Sequence, residues 1–163
     1  MPKSPPEFGA YHLQNVQIEG VNFAWSEFSC SFNGCVFKNV NLSGSMFDSC
    51  RMHKSVFKGC DFSDARLRVV ADAALFEECT FRGSQFLSRG ASEYGGRRVQ
   101  FVRCDFTSGV FRNVALRASR FVECLFPGAV FEQCDLRGVK FEGVILSSDQ
   151  FVGCEVSPGS ESD

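Results

Sequence analysis

A period of five residues governs where large apolar side chains fall along almost the whole chain. Phenylalanine, or another large apolar residue in its place, returns at every fifth position, and all nineteen phenylalanines belong to this one series. A period of five matches neither the 3.6 residues of an amphipathic α-helix nor the two residues of a flat strand. The chain must therefore turn a corner once in every five-residue unit, which favours a coil built from short extended pieces.

The position two residues before each large side chain holds a small residue, and all nine cysteines lie at such positions. Residues i and i−2 of an extended segment point to the same side, so both columns are expected to face inward. Cysteine then serves as a small apolar side chain rather than as a reactive group. The predicted core includes Phe37, Phe57, Phe81, Phe106, Phe126, Phe131, Cys104, Cys124, Cys134 and Cys154.

Individual units, such as CDFSD (60–64), CTFRG (79–83) and CDLRG (134–138), resemble the pentapeptide-repeat family, whose pattern is A(D/N)LXX. The resemblance covers roughly residues 6–156. It implies an all-β fold, a right-handed quadrilateral β-helix with four pentapeptides, or about 20 residues, in each coil. Residues one coil apart would stack about 4.8 Å from each other along the axis.

The same frame divides the chain. We expect a flexible lead-in over residues 1–7, a single β-helix over residues 8–156 and a disordered tail over residues 157–163. The frame lapses at LSRGASEYGGRRVQ (87–100), which predicts a projecting loop because the stretch is rich in glycine. It also slips at RVVADAAL (68–75), for which we expect a helical turn packed on the rod.

The charges are weak overall but unevenly distributed. The net charge is −2, so the molecule as a whole is not a polyanion binder. Residues 82–120 carry eight arginines against two acids, whereas residues 121–163 carry eight acids against two basic residues. Loops and charged faces supply the partner-binding candidates, which are Tyr94, Arg97, Arg98, Arg117, Arg137, Asp135, Glu142 and Glu155.

Several function classes remain open at this point. The favoured hypothesis is a non-enzymatic interaction protein whose faces and loop bind a protein partner. The family resemblance implies an alternative, a DNA-mimicking modulator of DNA gyrase or topoisomerase IV that protects against quinolones or toxins. Nucleic-acid binding by the basic residues is a minor alternative, because Tyr94 is the one aromatic residue near them that is free to stack on bases.

An enzyme, a cofactor and a metal site are not predicted. The sequence has no nucleophile elbow, no glycine-rich phosphate loop and no metal-ligand cluster around His12 or His53. No apolar run approaches the ~20 residues that a membrane span needs. The first residues lack the apolar stretch of a signal peptide, so we expect a cytoplasmic protein, either a monomer or an end-to-end homodimer.

Overall fold

The fold was analysed in a computed structural model, which describes residues 7–89 and 93–157. Within these residues the regular structure is β-strand, with one short 3-10 helix at Ser148–Gln150 and no α-helix. The strands in chain order are β1 (Glu7–Gln14), β2 (Gln17–Glu19), β3 (Glu27–Asn33), β4 (Val36–Lys38), β5 (Met46–His53), β6 (Val56–Lys58), β7 (Arg66–Val70), β8 (Leu75–Glu77), β9 (Gln85–Leu87), β10 (Gln100–Val102), β11 (Val110–Arg112), β12 (Arg120–Val122), β13 (Val130–Glu132), β14 (Asp135–Leu136), β15 (Lys140–Glu142), β16 (Phe151–Val152) and β17 (Glu155–Val156).

Parallel pairing stacks each coil on the next along four faces, which we number in chain order. An eight-stranded sheet, β1-β3-β5-β7-β9-β11-β13-β16, forms the first face, and its early strands continue around a corner onto the second. The second face then continues through single bridges from Val70 to Gly95, Ala115 and Asp135, and through the pair β14–β17. A seven-stranded sheet, β15-β12-β10-β8-β6-β4-β2, forms the third face.

The fourth face is held by single bridges between residues about one coil apart, such as Asp105 with Leu125. Register is regular across the stack: Phe111 pairs with Phe131, and Phe121 pairs with Phe141. The chain is thus an all-β parallel solenoid of about seven turns with about 20 residues per turn, which confirms the predicted fold class.

Columns of phenylalanine fill the interior. Phe111 and Phe131 on the first face stack with ring centroids 4.5 Å apart and planes at 8°, and Phe101 and Phe121 on the third face stack at 4.8 Å. Rings on neighbouring faces meet edge-on, as Phe121 and Phe126 do at 68°. Offset stacks and edge contacts of this kind add to the hydrophobic gain of burial, so the core is both apolar and geometrically ordered.

The thiols form inner columns beside the rings. Cys60, Cys79, Cys104 and Cys124 lie one above another on the fourth face, and all nine cysteines are free. Each of these four thiols donates to a carbonyl of the coil below, as the Cys104 Sγ does to the Phe76 oxygen at 3.3 Å. On the second face, burial raises the pKa of the Cys50 thiol to about 12. Cysteine therefore serves here as a small, buried apolar side chain.

The last coil is less closed than the middle coils. Cys154, which the periodicity places in the core, is only partly buried, whereas Cys134 one coil below is buried. Strand β1 begins at Glu7 and β17 ends at Val156. The remainder of the predicted lead-in and tail, residues 1–6 and 158–163, lies outside the described residues.

Both lapses of the frame belong to the coil itself. Ala71 and Gly96 occupy the central position of the second face, where the Ala71 N–H donates to the Gly95 carbonyl and the Gly96 N–H to the Ala115 carbonyl, each at 2.9 Å. The prediction of a helical turn over residues 68–75 was wrong, because this segment completes β7 and buries Ala71. Small residues at these positions hid the frame, since the period was recognised by large side chains.

The interruption at residues 87–100 is shorter than the predicted loop. Leu87 ends β9, and the backbone rejoins the coil by Gly95, with Val99 fully buried. From Phe86 to Gly96 the chain uses ten residues where other units use five, which amounts to a five-residue insertion at the corner between the first and second faces. Residues 90–92 of this insertion lie outside the described residues.

The stacked core makes a stability prediction for Phe126, which is 2% exposed and packs 5.0 Å from Phe106. Phe126→Ala should lower the free energy of unfolding by about 3–5 kcal/mol, because it leaves a cavity in a column that cannot collapse. Urea denaturation measures the change. The neighbouring Leu125 is 59% exposed, so Leu125→Ala is the matched control and should cost less than ~1 kcal/mol. Equal losses in the two variants would contradict the inward assignment of Phe126.

Candidate functional site

The outward faces carry ion pairs that link one coil to the next. The Arg112 Nε lies 2.8 Å from the Glu132 Oε2 on the first face, and the Arg120 Nε lies 2.9 Å from the Glu142 Oε2 on the third. The basic and acidic stretches of the sequence are therefore stacked against each other. Their charges largely cancel at the surface, even though they are separated along the chain.

The most closely packed ion-pair cluster lies on the second face around Asp135. This carboxylate accepts hydrogen bonds from the Arg117 Nε at 2.6 Å and from the Arg137 Nη2 at 2.7 Å, and it is only 5% exposed. It also accepts the backbone N–H of Arg137. Glu155, one coil above, lies 3.6 Å from the Arg137 Nε.

These hydrogen bonds fix the charge of Asp135. The hydrogen bond from Arg137, assisted by the one from Arg117, holds the pKa of the Asp135 carboxyl well below its ordinary value, although burial acts in the opposite direction. Asp135 is therefore ionised at neutral pH, and it neutralises one of the two guanidinium groups beside it.

Arg117 and Arg137 belong to a column of three arginines. Arg97, Arg117 and Arg137 each follow the central residue of the second face in successive coils, and the bridges Gly95–Ala115 and Ala115–Asp135 set this alignment. Among residues 7–89 and 93–157, no carboxylate lies within 4.0 Å of the Arg97 or Arg98 guanidinium. The column therefore ends, next to the insertion, in cations that lack an ion-pair partner in the described part of the chain.

A cleft of about 260 Å³ opens beside this column. Tyr94 forms part of its lining, and its hydroxyl lies 2.9 Å from the Ser49 Oγ. The Asp72 carboxylate, also in the lining, accepts the backbone N–H of Arg97 at 2.8 Å. The full lining is Val70, Asp72, Glu93, Tyr94, Gly96, Arg97, Ala115 and Arg117.

Small residues leave the room for this cleft. The outward column on the second face runs through Val70, Gly95 and Ala115 before it reaches Asp135. Gly95 has a φ of 129°, and a Cβ added to it would lie 2.0 Å from the Ala115 oxygen. Glycine is therefore required by the backbone at this point. Because no large side chain lies here, the arginines and Tyr94 surround a shallow depression.

A second groove, of about 510 Å³, follows the corner between the third and fourth faces. Buried thiols of the fourth-face column lie beneath it, and most of its charged groups are acidic. Its charged lining residues are Asp61, Glu78, Arg103, Asp105 and Glu123. The periodicity did not identify this groove, because its acids come from four different coils, although the 20-residue register contained the signal.

The structure brings most of the sequence-predicted partner-binding residues together. The second face carries Tyr94, Arg97, Arg117, Asp135, Arg137 and Glu155. Arg98 lies at the next corner and is exposed, whereas Glu142 lies apart on the third face, where it pairs with Arg120. These second-face residues span four coils and include the Asp135 cluster and part of the lining of the Tyr94 cleft.

The described ranges, 7–89 and 93–157, show neither a metal-ligand cluster nor a membrane-spanning helix. These residues contain no group of three or more His, Cys, Asp and Glu side chains arranged to hold a metal ion. They also contain no helix of the length and apolar character that a membrane crossing requires.

Comparison with known proteins places the chain in a family. A sequence profile described as Pentapeptide repeats matches eight copies, within residues 30–68 and 110–147. The chain belongs to the pentapeptide-repeat family. Both matched segments lie in regular coils, and the unmatched interval contains Ala71, Gly96 and the insertion, where the repeat departs from its usual side chains.

Solved structures with similarity to this pentapeptide-repeat protein include QnrB1, a plasmid-mediated fluoroquinolone resistance protein, at 17% identity and a TM-score of 0.46 over 94% of this chain and 87% of that one. HetL, involved in heterocyst differentiation regulation in the cyanobacterium Nostoc sp. strain PCC 7120, is 12% identical with a TM-score of 0.41, covering 94% of this chain and 89% of HetL. No curated protein sequence matches the chain.

The Asp135 cluster makes a pH-dependent prediction. Asp135→Asn should destabilise the protein by about 1–3 kcal/mol at pH 7, because two guanidinium groups lose their shared carboxylate. The folded-state pKa of Asp135 is lowered, so its contribution is fully present above the unfolded-state pKa of about 3.9 and is lost as the pH falls toward the folded-state value. Thermal unfolding of the wild type and the variant between pH 7 and pH 3 tests this.

The control for that series is Glu123→Gln, because Glu123 is exposed and has no ion pair among the described residues. It should change stability by less than ~0.5 kcal/mol at pH 7. A difference between wild type and Asp135→Asn that stays constant, or grows, as the pH falls below 4 would contradict the assignment of Asp135 as an ionised, stabilising group.

Proposed function

We propose that this pentapeptide-repeat protein is a non-enzymatic binding protein, which engages a protein partner through the second face and the adjoining insertion. One observation supports this above the others. The cleft at Tyr94 combines a partly exposed aromatic ring with the Arg97 guanidinium, and neither Arg97 nor the adjacent exposed Arg98 has a carboxylate partner in the described residues. Tyrosine and arginine are the residue types most enriched at protein–protein hot spots.

The rest of the molecule supports a scaffold role. The interior is filled by stacked rings and thiols, so chemistry can take place only on the outer faces. On those faces most oppositely charged side chains of adjacent coils pair with each other, as Arg112 does with Glu132. The insertion is the place where the regular coil departs from its repeat, and such departures on rigid scaffolds commonly carry binding residues.

Affinity capture with matched baits tests this proposal. The variant Tyr94→Ala/Arg97→Gln/Arg98→Gln removes the three groups, and Lys38→Gln/Lys58→Gln removes the same amount of positive charge from the third face. Purified wild-type bait should retain at least one protein from a lysate of the source cells that the triple variant retains about tenfold less and the control variant retains equally. A set of captured proteins that is the same for all three baits, or that is lost equally in both variants, would contradict the proposal.

A second candidate function is binding to DNA gyrase or topoisomerase IV as a DNA mimic. The corner groove supports it, because its lining combines the carboxylates of Asp61, Glu78, Asp105 and Glu123 with the single guanidinium of Arg103, a charge pattern that fits a basic protein surface. The closed pairs at Glu132 and Glu142 count against it, because they reduce the free acidic surface of the C-terminal coils.

A supercoiling assay with purified DNA gyrase, with and without a quinolone, separates the two candidates. If the groove acts as a DNA mimic, micromolar protein should inhibit supercoiling or relieve quinolone inhibition, and Asp61→Asn/Glu123→Gln should weaken that effect several-fold. The absence of any effect on the enzyme at that concentration would remove this candidate and leave the first.

Three further expectations remain predictions. Direct nucleic-acid binding is not favoured, because several arginines of the basic stretch are already paired with carboxylates. A cytoplasmic location and the choice between a monomer and an end-to-end homodimer are untested. Ile145 and Val156 in the last coil are 94% and 60% exposed, so that end is where a homodimer contact would be sought.

A further inference from the structure

Adjacent coils of the second face present the same arrangement of residues twice, with one difference. Asp135 lies between Arg117, which precedes it by 18 residues, and Arg137, which follows it by two, and its carboxylate bonds to both. Ala115 lies one coil below and pairs directly with Asp135. Its neighbours at the same two offsets are Arg97 and Arg117.

Ala115 therefore occupies the place of a bridging carboxylate without supplying one. The repeat commonly has Asp or Asn at this position, as in CDLRG (134–138), whereas the coil below has VALRA (114–118). The Ala115–Asp135 bridge keeps the two positions in register. The difference lies in the side chain, which in one coil joins two guanidinium groups and in the other stops at the Cβ.

The cleft lies at this point. Arg97, Ala115 and Arg117 all belong to its lining, and its volume is about 260 Å³. This is somewhat below the range of about 300–1,000 Å³ for pockets that bind small organic ligands. It suits the end of one acidic side chain, with the Tyr94 ring available to contact the methylene groups that precede the carboxylate.

We propose that the cleft binds the carboxylate of an aspartate or glutamate side chain of a partner protein, held between Arg97 and Arg117 as Asp135 is held between Arg117 and Arg137. This rests on the proposed protein-binding function and specifies the chemistry of the partner. Charge-assisted hydrogen bonds from arginine to a carboxylate are strong and directional, and the molecule itself provides an example of the geometry one coil away.

Arg97 and Arg117 have hydrogen-bond donors available for a carboxylate of the partner. Asp135 engages the Nε of Arg117, and no carboxylate of the described residues lies within 4.0 Å of the Arg97 guanidinium. Asp72 in the cleft already accepts the backbone N–H of Arg97 and lies 3.8 Å from the His53 Nδ1.

The balance of charge in the cleft favours a single carboxylate over a polyanion. Asp72 and Glu93 line the cleft together with Arg97 and Arg117, so its formal charge is zero. A nucleic acid gains affinity mainly from many phosphate contacts, which this lining does not provide. A single carboxylate between two guanidinium groups can accept hydrogen bonds from both of them, and it does not need a strongly positive surface around the cleft.

The test supplies a carboxylate at position 115 from the chain itself. Ala115→Asp should place a carboxylate between Arg97 and Arg117, raise the melting temperature by a few degrees and abolish binding of a fluorescein-labelled hexaglutamate peptide measured by anisotropy. Ala115→Asn is the matched neutral variant and should bind within about threefold of the wild type. Arg97→Gln should weaken binding about tenfold, whereas Arg112→Gln on the first face should leave it unchanged.

Several results would overturn the proposal. The first is binding of hexaglutamate by Ala115→Asp or Arg97→Gln as tight as that by the wild type. The second is binding of a hexaglutamine peptide, or of acetate per carboxylate group, as tight as that of hexaglutamate. The third is binding of duplex DNA that depends on Arg97 to the same extent. The Arg97→Gln comparison remains decisive if Ala115→Asp does not fold, which circular dichroism would show.

Failure of this proposal can be told apart from failure of the proposed function. If Ala115→Asp bait retains the same partner as the wild type, while the Tyr94→Ala/Arg97→Gln/Arg98→Gln bait loses it, the carboxylate assignment is wrong and the protein-binding function stands. If no bait distinguishes a partner and hexaglutamate does not bind, both are wrong.

Discussion

The structure depends on parallel, in-register stacking of successive coils. Backbone hydrogen bonds between coils place each residue directly over the residue about 20 positions earlier, as Phe131 lies over Phe111. Side chains at equivalent positions are then forced into contact about 4.8 Å apart. Flat rings tolerate this spacing because they stack with parallel planes, and thiols tolerate it because they are small. The unusual phenylalanine and cysteine content follows from this one geometric requirement.

The same stacking decides what the surface can do. Like charges at equivalent outward positions would repel each other at about 5 Å, so they need a carboxylate nearby. Asp135 meets this need for Arg117 and Arg137, and Glu142 meets it for Arg120, which stacks with Lys140. The basic stretch and the acidic stretch that follows it in the sequence thus form ion pairs with each other between adjacent coils. Surface charge in such a solenoid has to be read between coils rather than along the chain.

Much of the fold could be predicted from the sequence, and the reason is physical. Phe and Cys identify the inward positions, because neither an α-helix nor a flat strand would repeat its buried side chains every five residues. Prediction failed where the inward residue was small. Ala71 and Gly96 carry too little side chain to reveal the frame, so a coil segment was interpreted as a helical turn and part of another as a loop. The corner groove was missed for a different reason, because its acids are distant in sequence and meet only through the register.

The proposed site suggests a way for a repeat protein to acquire a binding function without changing its fold. Inward positions are fixed by the stack, whereas outward positions can vary as long as their charges are matched. Asp135 shows what a carboxylate does on the second face, and Ala115 shows the same position without one, one coil below. The two positions are in register, and under our proposal the carboxylate that Asp135 supplies in one coil comes from a partner protein in the other. The proposed carboxylate site therefore rests on a local sequence signal, a departure from the repeat beside a coil that keeps it.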